Sequence, residues 1–167
     1  MQSRQHRFVK INHVLTFESG GAQQTAKTDV CVLYDDKVVL LVQEASEGDI
    51  IMNEPQLIAW AIAAFANNQR ALEAEGRPRL TILSIPGILM VGATPIFYKI
   101  QITEGLHAAV RTTTFPTIET VVERFVPFPG QPLHLVMANM SSRRRTVQCI
   151  ETFHHFLDVA QGNISVF

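Results

Sequence analysis

Charge is scarce in this chain: Asp, Glu, Lys and Arg make up 17% of its 167 residues, and 14 basic against 15 acidic residues leave a formal net charge of -1. Without a global positive field, a nucleic-acid partner would have to be held by a local patch. Cysteine is scarce as well. Cys31 and Cys149 fall in segments that read as buried elements, so both are taken as small core hydrophobes and no disulfide framework is expected. No apolar run approaches the roughly 20 residues that span a bilayer, and MQSRQHRFVKINH lacks the pattern of a signal peptide. The expectation is therefore a cytoplasmic protein with no membrane partner. Apolar residues are plentiful. At 47% hydrophobic content and a mean hydropathy of +0.14, disorder is excluded and one domain over residues 1–167 is the natural reading. Some apolar surface should remain for a partner, a homodimer among the options.

Along the chain, residues 7–18 read as a strand and Gly20-Gly21 with the polar run to Lys27 as a loop. TDVCVLY and KVVLLVQEAS read as two strands joined by the two-residue turn Asp35-Asp36. Asn53 is the candidate N-cap of a helix over 55–75, apolar on most faces and hence largely buried. LTILSI, GILMVG and PIFYKIQIT read as strands separated by Pro86-Gly87 and by residues 92–95. Residues 104–111 and 116–124 look like short helices, FVPFPGQPLHL is irregular, and a last helix runs from Ser141 or Ser142 to Gln161 with Gly162 as its C-cap.

The first hairpin places chemistry. If Tyr34 and Lys37 flank the turn, paired residue numbers sum to 71, which sets Asp29 opposite Val42 and Lys27 opposite Glu44. Asp29, Val42, Glu44 and Ser46 then share a face, with the two carboxylates as diagonal neighbours near enough to hold one divalent cation.

These residues resemble the PD-(D/E)XK nuclease superfamily, in which an Asp opens one strand, a D/E-x-K triplet ends the next and a helix follows. Here Asp29 heads the first strand, Glu44-Ala45-Ser46 ends the second, and Gln56-Leu57-Ile58-Ala59-Trp60 looks like the Q-x-x-x-Y motif of RecB-like members with Trp in the aromatic place. GILMVGATPIFYKI resembles the strand, turn and strand that complete such a core, so the likeness spans about residues 27–103. It implies an α/β, three-layer, restriction-endonuclease-like core with a central mixed sheet flanked by helices. It also implies a Mg²⁺ site on Asp29 and Glu44, steadied by Gln56, for hydrolysis of DNA or RNA. The family lysine falls on Ser46, whose hydroxyl supplies no positive charge; Lys27 or Lys99 would have to lend an ammonium, or the fold has kept its shape and lost cleavage. The chain further resembles a group of small proteins of mushroom-forming fungi that share the VQE and IPGI-x-M-x-G-x-TPIFYKI segments, where the first triplet often carries the lysine.

Arg143-Arg144-Arg145, at the start of the last helix, is a candidate phosphate-binding patch, because three cations there oppose the helix dipole unless an anion compensates. His154-His155 point about 100° apart on a helix and cannot chelate together, and His6, His13, His107 and His134 lack ligand spacing. No P-loop, G-x-G-x-x-G or G-x-S-x-G pattern occurs. Two further readings stay open. One is a ribosome-inactivating, RNA-directed toxin, which as an rRNA N-glycosylase would draw on Tyr98, Trp60 and Glu44. The other is a non-catalytic dimeric interaction module on the same fold.

Overall fold

Burial on every side of the central helix organises the molecule. The computed structural model describes residues 7–45, 50–132 and 136–165. Its strands are β1 (Arg7–Ile11), β2 (Val14–Ser19), β3 (Ala22–Lys27), β4 (Val30–Tyr34), β5 (Lys37–Ala45), β6 (Ile82–Val91), β7 (Thr94–Thr103) and β8 (Val122–Phe125). Its helices are α1 (Ile50–Ala74), α2 (Glu104–Thr112) and α3 (Met140–Ser165). Six strands form one mixed sheet in the order β1-β4-β5-β6-β7-β8, all neighbours antiparallel except β5 and β6, while β2 and β3 pair separately. The chain is thus α/β with a central mixed sheet flanked by helices. Helix α1 is the crossover joining parallel β5 and β6.

The two faces of the sheet follow from alternation. On one, Leu41, Gln43, Leu89 and Ile100 are buried beneath α1, and a Cβ added to Gly87 would lie 3.1 Å from Leu57 Cδ2, so glycine sets how closely α1 sits. On the other, α3 lays Phe153 against Phe97 with ring centroids 4.9 Å apart. The β2–β3 hairpin covers the outer side of α1 with Leu15 and Ala26, and Arg70 donates from Nη1 to Thr16 Oγ1 (2.8 Å) and from Nη2 to the Thr16 carbonyl (2.7 Å). This double cover explains why Leu57, Trp60, Ala61, Ala64, Phe65 and Leu72 are all buried on one helix.

Polar side chains fasten these layers. Asn68 Oδ1 accepts from Val38 N (2.7 Å) and Asn68 Nδ2 donates to the Val38 carbonyl (2.8 Å). Gln69 makes the same two-way pair with Leu80, at 2.9 and 2.7 Å. The Asn68 pair falls where β5 needs it. Leu33 faces Val38 but Val32 faces Leu40, so Val39 is an extra residue, a bulge that interrupts the ladder, and the carboxamide satisfies the neighbouring backbone. Lys37, buried at the start of β5, pairs with Glu75 at the end of α1 and donates to the Asp35 carbonyl.

Several expectations are corrected. Residues 7–18 are two strands in different sheets, broken at Asn12, whose φ is 53°. The polar run to Lys27 is strand β3, hidden in the sequence because only Ala26 of it is buried. Gly20 and Gly21 form its turn at φ of 59° and 74°, and their N–H groups reach the Val110 and Arg111 carbonyls at the end of α2. Helix α1 starts at Ile50, five residues before the expected start, and contains Asn53 rather than being capped by it. Pro86 does not divide β6: pairing with β5 begins only at Gly87, so the missing N–H costs no bond on that side. Residues 116–124 are not a helix, since Val122–Phe125 instead pairs with the open edge of β7. Helix α3 runs through Gly162 to Ser165.

Two stability tests follow. Asp35 and Asp36 have φ of 47° and 64°, the positive values of a type I′ turn, so Asp36→Gly is expected to stabilise by about 0.5–1 kcal/mol. Asn68→Ala leaves two buried backbone groups of Val38 unpaired and should cost about 2–4 kcal/mol. Urea unfolding followed by the fluorescence of buried Trp60 measures both.

Candidate functional site

The carboxyl end of β5, the start of β4 and the start of α1 meet at one end of the sheet. Open α/β sheets place ligand sites beyond the carboxyl ends of their parallel strands. Asp29, just before β4, accepts a hydrogen bond on Oδ2 from the Glu44 backbone N–H at 2.9 Å, and Glu44 itself is exposed. The Val39 bulge changes the pairing sum to 72, so Val30 rather than Asp29 faces Val42. The position expected for Asp29, opposite Val42 and on one face with Glu44, thus belongs to Val30, and Asp29 meets Glu44 through the Glu44 backbone N–H rather than as a diagonal neighbour across a regular ladder. Lys27 is corrected too: it belongs to β3 and pairs with Val14, not with Glu44. Ser46 lies outside the described residues, as do His6 and His134.

Gln56 is brought to the same end from the other side. Gln43, on the α1 face with Leu41, donates from Nε2 to Asn53 Oδ1 (2.9 Å) and Gln56 Oε1 (3.1 Å), whereas Glu44 alternates to the α3 face. Gln56 thus reaches the end of β5 through Gln43. Among the described residues, Gln43 Oε1 is a buried side-chain oxygen without a hydrogen-bond partner. The sequence signal for Gln43 is a polar residue at the buried parity of an otherwise apolar strand.

A second polar group ties α1 to β7 and β8. Glu54 Oε1 accepts from Tyr98 OH (2.8 Å) and from Arg124 Nη1 (2.9 Å). Burial, then the Glu54 carboxylate at the hydroxyl, holds the Tyr98 phenol well above the ordinary tyrosine range. Tyr98 is 2% exposed and Trp60 is 3% exposed, so neither offers a ring face to a base, as the glycosylase reading requires.

The arginines of α3 divide. Arg143 Nε donates to the Met137 carbonyl (2.6 Å), Arg145 lies 5.5 Å from the Phe128 ring centroid, and Arg144 is exposed without an ion pair among the described residues. Phe153 contacts Phe97 while Lys99 lies 6.0 Å from the Phe156 ring, so α3 runs in the direction of β7. Its start therefore lies toward the sheet end where β5 finishes. Lys99 is paired with Glu123 at 2.8 Å.

Asp29 and Glu44 are the expected metal donors. Among the described residues no group of three His, Cys, Asp or Glu side chains converges. Two carboxylates still suit Mg²⁺, which keeps several waters and takes substrate oxygens for the rest of its shell. Elsewhere, a cavity of about 470 Å³ between the β2–β3 hairpin, α1 and α2 is lined by charges that pair among themselves, Arg111 with Glu18 and Arg79 with Glu73. Burial, then Arg111, lowers the pKa of His107 there.

The raised Tyr98 pKa has a definite sign. An unfolded tyrosine ionises near pH 10, while the folded phenol keeps its proton. The stability it contributes is complete below about pH 10 and is lost as pH rises from there toward the folded value. Tyr98→Phe should flatten that alkaline decline and, at neutral pH, cost about 1–2 kcal/mol through the lost bond to Glu54. Urea unfolding between pH 8 and 11.5 checks both effects.

No protein-family model, no curated protein and no solved structure matches this chain.

Proposed function

We propose that the chain is a metal-dependent nuclease of the PD-(D/E)XK type, hydrolysing phosphodiester bonds of DNA or RNA. The observation that carries this reading is the Asp29 carboxylate bonded to the Glu44 N–H at the end of a hairpin strand. That strand is followed by a crossover helix, a parallel strand and an antiparallel strand, the order the resemblance implies.

Asp29 and Glu44 would hold Mg²⁺. When bound, the ion supplies an acidified water and neutralises charge on the scissile phosphate. Asp29 spends Oδ2 on the chain itself, which fixes the carboxylate and leaves Oδ1 for a ligand. Exposure of Glu44 leaves the corner open to a polymer, and Gln43 holds Gln56 and the first turns of α1 in place behind it. The weak element is positive charge. Ser46 stands in the lysine position, and the start of α3 carries Arg143, Arg144 and Arg145 toward this end of the sheet. Slow cleavage is the expected consequence, and a restored lysine should correct it.

Single-stranded and duplex DNA and RNA, incubated with Mg²⁺, Mn²⁺ or EDTA and resolved on gels, test the proposal. Cleavage should require the metal, fall at least a hundredfold in Asp29→Asn and Glu44→Gln, and rise about tenfold or more in Ser46→Lys. Cleavage that persists in EDTA, or its absence from both the natural chain and Ser46→Lys, sinks the reading.

One observation favours the interaction-module alternative. Among the described residues β1 is an edge strand of the sheet, and it leaves Phe8, Val9 and Ile11 exposed. Sedimentation would show a dimer that Val9→Lys dissociates.

A further inference from the structure

On the α3 face, β7, β8 and α3 enclose an open groove of about 560 Å³, within the size range of small-molecule sites. Its apolar lining is aromatic. Phe97 contacts Phe153 at 4.9 Å and Phe125 at 6.3 Å between centroids, and Phe153 contacts Phe156 at 5.9 Å. Its charge is unbalanced, with Lys99, Arg124 and Arg145 against Glu123. Lys99 is neutralised by Glu123 and Arg124 by Glu54, whereas Arg145 lies over the ring of Phe128 and has no ion pair among the described residues, so an uncompensated cation sits on the α3 side of the groove.

We propose that this groove binds an unpaired base of single-stranded nucleic acid, stacked on Phe125 and Phe156, with a flanking phosphate on Arg145. Aromatic rings interleaved with cations suit such a strand, because every base has a π-face and every linkage a negative charge. A duplex buries those faces in its own stack, and an acyl chain fits an enclosed apolar tunnel better than an open groove edged by charge. The placement adds a reason. Helix α3 starts toward the sheet end that carries Asp29 and Glu44, so a strand leaving the groove past Arg145 and Arg144 heads for the carboxylates. The inference deepens the nuclease reading by naming a single strand as substrate, and its readout is binding rather than cleavage.

Anisotropy of a fluorescent 12-residue oligothymidylate, measured in EDTA with the full chain, is the test. Phe125→Ala and Arg145→Ala, both at exposed positions, should each weaken binding about tenfold with an unchanged circular dichroism spectrum. A duplex of equal length should bind at least tenfold more weakly. Cys149 lines the groove and is part exposed while Cys31 is fully buried, so bound oligothymidylate should slow alkylation of Cys149 by N-ethylmaleimide severalfold. Unaltered affinity in both variants, absent protection of Cys149, preference for duplex, or binding of dodecanoate but not oligonucleotide would overturn the proposal. Binding that behaves as described without any metal-dependent cleavage would leave the groove standing and remove the nuclease. Cleavage with no effect of Phe125→Ala on KM would do the reverse.

Discussion

The seating of α1 on β5 is the constraint on which the rest depends. Asn68 closes a two-way hydrogen-bond pair with the backbone of Val38, and Gln69 does the same with Leu80, so consecutive carboxamides lock the second half of one helix to the start of β5 and to the residues leading into β6. Buried polar groups of this kind are costly when unpaired and directional when paired. They fix the height and rotation of α1, which apolar packing alone leaves more tolerant. Gly87 under Leu57 sets the separation at the other end of the helix.

The same pair permits the bulge at Val39. That single extra residue shifts the β4–β5 register by one position, and a shift of one exchanges the faces of every residue beyond it. The consequence reaches the candidate site. Glu44 lies on the α3 face, Gln43 on the α1 face, and Asp29 meets β5 through a backbone N–H. Two separate hydrogen-bond systems, Asp29 on the Glu44 N–H and Gln43 on Asn53 and Gln56, meet at this end of the sheet. Glu54, bridging Tyr98 and Arg124, ties the start of α1 to the β7–β8 edge and so links that end to the aromatic groove margin.

What the sequence makes legible is local. The Asp35-Asp36 turn, the two strands around it, the buried central helix, strand β7 and helix α2 are all read from periodicity and turn chemistry, because short-range pattern dictates them. The adjacency of Asp29 and Glu44 is also legible, since a two-residue turn limits how far apart they can fall. Strand β3 is not, because a hairpin covering the outside of a helix buries so little that AQQTAK carries no apolar alternation. The break at Asn12 is likewise hidden, as is the run of β6 through Pro86, which depends on where β5 begins to pair.

By itself, then, the sequence determined a mixed α/β domain, the first hairpin and a pair of acids near its open end. Tertiary structure alone decided that Lys27 belongs to a different sheet, that Val39 shifts the register, and that Gln56 bonds to Gln43 on the face opposite to Glu44. It also brought Arg145 into the lining of one groove with four phenylalanines drawn from β7, β8 and α3. The physical reason is common to all of these. Each depends on pairing or packing between residues distant in the chain, where one inserted residue or one shared carboxamide outweighs any local preference.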